Sequence, residues 1–151
     1  MRSLSIFKTK SPKETEEVGK KLGSALKSGD VVAMFGGMGM GKTAFTHGIA
    51  EGMGIDPHQV SSPTFALVQE YGESQKLYHF DMYRIGSWDD LYSTGFFDYL
   101  EQGGILAVEW SENIENALPD GYIRVEFSRG EGENERIINI SGGKSLENTW
   151  G

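Results

Sequence analysis

Val31-Val32-Ala33-Met34-Phe35-Gly36-Gly37-Met38-Gly39-Met40-Gly41-Lys42-Thr43 decides the fold. Its first five residues form an unbroken apolar run containing β-branched side chains, the pattern of a strand buried on both faces. Its last eight match G-x-x-x-x-G-K-[ST], the phosphate-binding loop that joins such a strand to a helix. Glycines let successive N–H groups curl inward at phosphate oxygens, and the following helix N-terminus adds unpaired N–H groups and partial positive charge. Lys42 is placed to reach the β- and γ-phosphates, and the Thr43 hydroxyl suits Mg2+. Gly36, Gly37, Met38, Gly39, Met40, Gly41, Lys42 and Thr43 are therefore the candidate nucleotide-binding residues. No guanine-specific N-K-x-D occurs, which favours ATP.

Upstream, Ser11-Pro12-Lys13-Glu14 reads as a capping box with proline in the first turn. Val18, Leu22, Ala25 and Leu26 follow at helical spacing, and Gly29 can end the helix. Downstream, a helix is predicted over 42–53, closed by Gly54. Residues 65–71 and 77–83 read as a hairpin, and 88–100 as short helical turns. Ile105-Leu106-Ala107-Val108 is a second apolar strand, and a short helix near 112–118 is stopped by Pro119. Residues 122–128 and 136–140 alternate like antiparallel strands. The predicted fold is α/β: a P-loop NTPase-like three-layer sandwich with a mostly parallel central sheet, an antiparallel hairpin and an antiparallel flank. One domain covers 1–141, and 142–151 reads as a frayed tail.

Composition narrows the function. The 151 residues are 38% hydrophobic, contain no cysteine and show no apolar stretch near the ~20 residues of a membrane span. Disulfides, thiolate zinc sites and a cysteine nucleophile are excluded, and a cytoplasmic location is expected. The net charge of −8 is uneven: residues 1–50 carry +4, while 51–100 and 101–151 carry −6 each. An acidic body repels nucleic-acid phosphates, so direct binding to RNA or DNA is not expected. Glycine, at 21 residues, is about twice its usual share.

Hydrolysis requires acids near the metal and the attacking water. Two apolar strands end in one, at Asp81 and Glu109, and in α/β sheets ligands sit at the carboxyl ends of strands. The Ser61-Ser62-Pro63-Thr64-Phe65 loop reads equally as a γ-phosphate-sensing switch with Thr64 or as a plain Ser-Pro turn. His47, His58 and His79 show no ligand spacing, and His79 reads as strand packing. Trp110 could lie beside a nucleotide or fill the core.

Taken in order, these segments resemble the TsaE family of small bacterial P-loop ATPases, which take part in making threonylcarbamoyladenosine in tRNA. The resemblance rests on Ser11 and Thr15 ahead of Gly36-to-Thr43, on Ser62-Pro63-Thr64-Phe65 with Val68-Gln69-Glu70-Tyr71, and on His79-Phe80-Asp81-Met82-Tyr83-Arg84. Val108-Glu109-Trp110 and a late strand arginine, Arg136, complete it. Two positions depart from the family pattern: Gly37 stands where an acid is usual, and Met40 where a small residue is usual. The resemblance implies Mg2+-dependent ATP hydrolysis acting on a TsaB–TsaD-type heterodimer rather than directly on tRNA. It implies Lys42, Asp81, Glu109 and Thr64 as catalytic residues, and Thr43, Glu109 and Asp81 as the metal set. Ser11, near the adenine, and Arg136 join the nucleotide-binding set. Two alternatives stay open. One is a small-molecule kinase, against which five arginines unclustered in sequence count. The other, kept open by Gly37, is a non-hydrolysing module in which ATP stabilises a docking surface.

Overall fold

The computed structural model describes residues 4–37, 39, 41–56, 68–73 and 75–142. Seven strands form one sheet: β1 (Leu4–Thr9), β2 (Val31–Phe35), β3 (Val68–Tyr71), β4 (Leu77–Asp81), β5 (Ile105–Glu109), β6 (Ile123–Arg129) and β7 (Arg136–Gly142). Their order is β1-β7-β6-β2-β5-β4-β3. The four central strands β6, β2, β5 and β4 run parallel, whereas β1, β7 and the β3–β4 hairpin pair antiparallel at the two flanks. All five residues of β2 and of β5 are buried, as the apolar runs Val31–Phe35 and 105–108 in a covered parallel sheet must be; Glu109 is the buried exception at the end of β5.

Helices cover both faces. α1 (Pro12–Ala25) and α2 (Lys42–Gly52) lie on one; α3 (Trp88–Ser93), α4 (Phe96–Glu101) and a 3-10 helix (Ser111–Ala117) lie on the other. The two-residue period of the strands sorts their side chains accordingly. Val32, Met34, Ile105 and Ala107 pack with Leu22, Phe45 and Ile49 of the first pair. Val31, Leu106 and Val108 pack with Leu91, Phe96 and Ile114 of the second layer. The predicted three-layer sandwich is the observed architecture. Among the described residues no helix is long and apolar enough to cross a membrane.

Sequence and structure part in four places, one of them β4, which ends at Asp81 where the hairpin reading runs to 83. β1 was not predicted; it closes the sheet edge by pairing Leu4 to Thr9 against Ser141 to Arg136. α1 stops at Ala25 with Leu26 as its cap, ahead of Gly29, which sits in the next turn at φ 93°. β7 continues to Gly142, while the rest of the predicted tail, 143–151, lies outside the described residues.

The α1–α2 contact accounts for glycines that the phosphate loop does not use. A Cβ at Gly19 would stand 2.2 Å from the Phe45 carbonyl oxygen, and one at Gly23 2.3 Å from that of Ile49. Gly48 and Gly52 face back, with Cβ positions 2.0 Å from the Glu16 oxygen and 2.3 Å from the Lys20 oxygen. Four glycines, spaced four apart on each helix, let the two backbones touch. This seam fixes α2, whose first residue is Lys42, against α1.

Candidate nucleotide-binding site

Strand β2 delivers the chain to Gly36, whose φ of 138° and close approach to the Phe127 carbonyl admit only glycine without strain. The loop closes at Gly41, in the left-handed region at φ 97°, where the Thr15 methyl stands 3.4 Å from the place a Cβ would occupy. Thr15 is itself held by a buried hydroxyl–hydroxyl bond of 2.8 Å to Thr9 at the end of β1. No side chain caps α2, so its first turn offers N–H groups to an anion.

Lys42 is almost fully buried. Its Nζ donates to the Gly36 carbonyl at 2.7 Å and lies 3.9 Å from the centre of the Trp110 ring, a cation–π contact. Burial holds the ammonium below the ordinary lysine range, and the carboxylates of Glu109, Glu112 and Asp81 pull it back up without cancelling that effect. These four charges share one electrostatic neighbourhood. The loop has two further ties: Gly36 N–H donates to Glu112 Oε2 at 3.2 Å, and an Arg136 guanidinium N–H donates to the Gly39 carbonyl at 3.1 Å. Thr43 is the second residue of α2 and half-buried.

The two strand-terminal acids are direct neighbours. β4 and β5 are parallel with Asp81 opposite Glu109, so both side chains leave the same face at the carboxyl edge. Asp81 Oδ1 accepts from the Tyr83 N–H at 2.9 Å. Glu109 is 7% exposed, and its Oε2 meets His79 Nε2 at 2.5 Å. With a carboxylate as partner this ring nitrogen donates, and the buried Nδ1 has no partner among the described residues. Trp110 follows in the left-handed region (φ 59°, ψ 41°), the one described non-glycine residue with positive φ, and its ring also packs on Tyr83 at 4.9 Å. Backbone strain of this kind concentrates at functional sites.

Of the sequence-derived set, Gly36, Gly39, Gly41, Lys42, Asp81, Glu109 and Arg136 thus converge. The Ser11 side chain caps α1 by accepting from the Glu14 N–H at 3.1 Å. Gly37 has open space around its Cα, with no atom within 4 Å of a Cβ position. Met38, Met40, Thr64 and the 61–65 loop lie outside the described residues. Sequence reasoning missed the bond from His79 to Glu109 and the contact of Glu112 with Gly36. The first had a signal, since His79 precedes Asp81 by two and so shares its face of β4; the second had none.

No cluster of three His, Cys, Asp or Glu side chains arranged to hold a metal exists among the described residues. Thr43 at the start of α2 and the paired strand-end carboxylates Asp81 and Glu109 are oxygen donors of the kind that Mg2+ would take beside nucleotide phosphates.

Comparison with known proteins gives a consistent answer. The family profile described as "Threonylcarbamoyl adenosine biosynthesis protein TsaE" matches residues 9–138. A relative from Bacillus subtilis, a tRNA threonylcarbamoyladenosine biosynthesis protein TsaE, is 38% identical over 136 residues, covering 89% of this chain and 84% of its own. One of the same description from Treponema pallidum is 35% identical, covering 79% of this chain and 87% of its own. The crystal structure of Bacillus subtilis YdiB superposes with a TM-score of 0.76 at 32% identity, covering 94% of this chain and 87% of that one.

Proposed function

Because the chain belongs to the TsaE family of threonylcarbamoyladenosine biosynthesis proteins, we propose that it serves this tRNA modification as a Mg2+-dependent ATPase driven by a partner. The partner in this reading is a TsaB–TsaD-type heterodimer, which would carry the tRNA contacts that a chain of net charge −8 disfavours. The setting would be cytoplasmic. The observation that supports the reading most is the convergence of Lys42, Asp81 and Glu109 on the mouth of an uncapped helix at the carboxyl edge of parallel strands.

The residues divide the work as follows. Gly39, Gly41 and Lys42 would hold the phosphates, with the ammonium exchanging the Gly36 carbonyl for a phosphate oxygen. Thr43 and Glu109 would hold Mg2+, which when bound neutralises charge on the transferring phosphoryl group. His79 fixes the Glu109 carboxylate from behind. Asp81, opposite Glu109 at the strand ends, would lie near the metal or orient the attacking water, and Thr64 would sense the γ-phosphate. Arg136 restrains the loop through the Gly39 carbonyl, and Ser11 would border the adenine.

Phosphate release, measured with and without the heterodimer, tests this. Wild type should be stimulated by the partner, and Lys42→Ala and Glu109→Gln should each lose on the order of a hundredfold or more. Variants that hydrolyse ATP like wild type in both conditions refute it. A second reading, ATP as a non-hydrolysed docking cofactor, is favoured by Gly37, where the family's usual acid is missing. Its mark is modification that proceeds through many cycles with a non-hydrolysable analogue. Because the surroundings of Gly37 are open, Gly37→Asp should fit and test what the acid adds.

A further inference from the structure

Residues 85–123 contain eight acids and not one lysine or arginine. Six of them, Asp89, Asp90, Asp98, Glu101, Glu112 and Glu115, lie on α3, α4 and the 3-10 helix, so the second helical layer carries an acidic surface; Glu109 is buried in β5 and does not contribute to it. The same layer exposes aromatic rings. Trp88 is 54% and Tyr92 64% exposed, and with Phe97 they form one continuous strip: Trp88 stacks on Phe97 with 6.5 Å between centres, and Tyr92 lies 5.1 Å from Phe97. Beside the strip a cleft of about 300 Å3 opens between α3 and the 3-10 helix, with Ile85, Leu91, Ile114 and Ala117 on its apolar side and Glu112 and Glu115 on its acidic side, where Arg124 already pairs with Glu115 at 3.1 Å. The strip takes no part in the chemistry assigned above, and the cleft meets it only through Glu112.

We propose that this face docks a basic segment of the protein partner, with an apolar side chain in the cleft and arginine or lysine on the aromatic strip. The inference rests on the partner-driven reading above and names the surface that serves it. Exposed tryptophan and tyrosine in a contiguous strip are the residue types that dominate protein interfaces. Clustered acids select cations, and an indole face attracts a guanidinium stacked on it. Nucleic acid and anionic membrane are repelled by the same charges. The position of the cleft adds a consequence: Glu112 lines it while holding the Gly36 N–H, so an occupant can be felt at the phosphate loop.

The test is calorimetric titration of the full chain into the reconstituted TsaB–TsaD-type heterodimer at low and high salt. The variants are Trp88→Ala with Tyr92→Ala, and Asp89→Lys with Asp98→Lys, all at exposed positions. Either pair should weaken binding at least tenfold, and the charge pair should flatten the salt dependence. ATP affinity should stay within twofold of wild type. Both pairs binding the heterodimer like wild type overturns this docking face and leaves the partner reading standing. No binding by wild type overturns the partner reading, and this face with it. Self-association of wild type in sedimentation, lost in both pairs, assigns the face to a second copy and overturns the basic-partner proposal.

Discussion

Gly48→Ala sets two physical effects against each other with opposite signs. Helix propensity alone favours alanine by about 1 kcal/mol in a helix interior. The seam opposes it: the new methyl would sit 2.0 Å from the Glu16 oxygen, 2.7 Å from the Lys20 nitrogen and 2.9 Å from the Glu16 carbonyl carbon, all backbone atoms that cannot rotate aside. Restoring ordinary contact along the shortest vector separates α1 from α2 by about 1.4 Å, which a close-packed interior resists. Overpacking of this kind costs about 1–3 kcal/mol, and backbone against backbone belongs at the upper end. The net destabilisation is about 1–2 kcal/mol, or roughly 2–8 °C in Tm for a chain of this size. Far-ultraviolet circular dichroism melts measure it, with Ser24→Ala on the exposed side of α1 as the propensity control. A melting temperature that is unchanged or raised in Gly48→Ala would refute the seam.

Lys42→Met should abolish nucleotide binding yet raise Tm at neutral pH, because it removes an ammonium that burial disfavours. The lysine pKa is lower folded than unfolded, so the charge costs stability at low and neutral pH. As pH rises through the folded value toward the unfolded one, that cost fades, and the advantage of methionine should shrink across the same alkaline window. His79→Leu leaves Glu109 buried without its donor; a loss of about 1–3 kcal/mol in denaturant melts and a tenfold to hundredfold fall in kcat for phosphate release are expected. Glu112→Gln removes a carboxylate from the Gly36 N–H and from the field at Lys42, so calorimetry should show ATP binding a few-fold tighter. Weaker binding would mean that Glu112 is needed to hold the loop in shape.

What the sequence made legible was whatever lies close along the chain. The β2–loop–α2 unit, the capped helix and the β3–β4 hairpin announce themselves within a dozen residues through apolar runs, glycines and turn signals. β1 did not, because LSIFKT is short and its pairing partner β7 begins at Arg136, more than a hundred residues on. The His79–Glu109 bond depends on β4 lying beside β5 in a particular register, a fact of sheet order that no local pattern carries. The surplus of glycines lay in plain view at four-residue spacing in both helices. Its meaning required knowing that those two helices face each other. Of the candidate site, the acids and the loop were readable by type; Glu112 was not, since an acid in a short 3-10 turn looks like any solvated surface acid.

Trp110 has a use beyond holding Lys42. Its indole sits under an ammonium that the proposed mechanism transfers to a phosphate, and beside the ring of Tyr83. A cation over an indole perturbs its excited state, so arrival of nucleotide should change the intrinsic emission of the protein without any label. The chain has three tryptophans: Trp110 at the loop, Trp88 on the acidic face and Trp150 beyond the described residues. Replacing Trp88 and Trp150 with phenylalanine would leave a single chromophore that reports on the phosphate loop. Keeping only Trp88 would give a second, reporting on the docking face. One molecule thus carries an optical probe for each of its two surfaces.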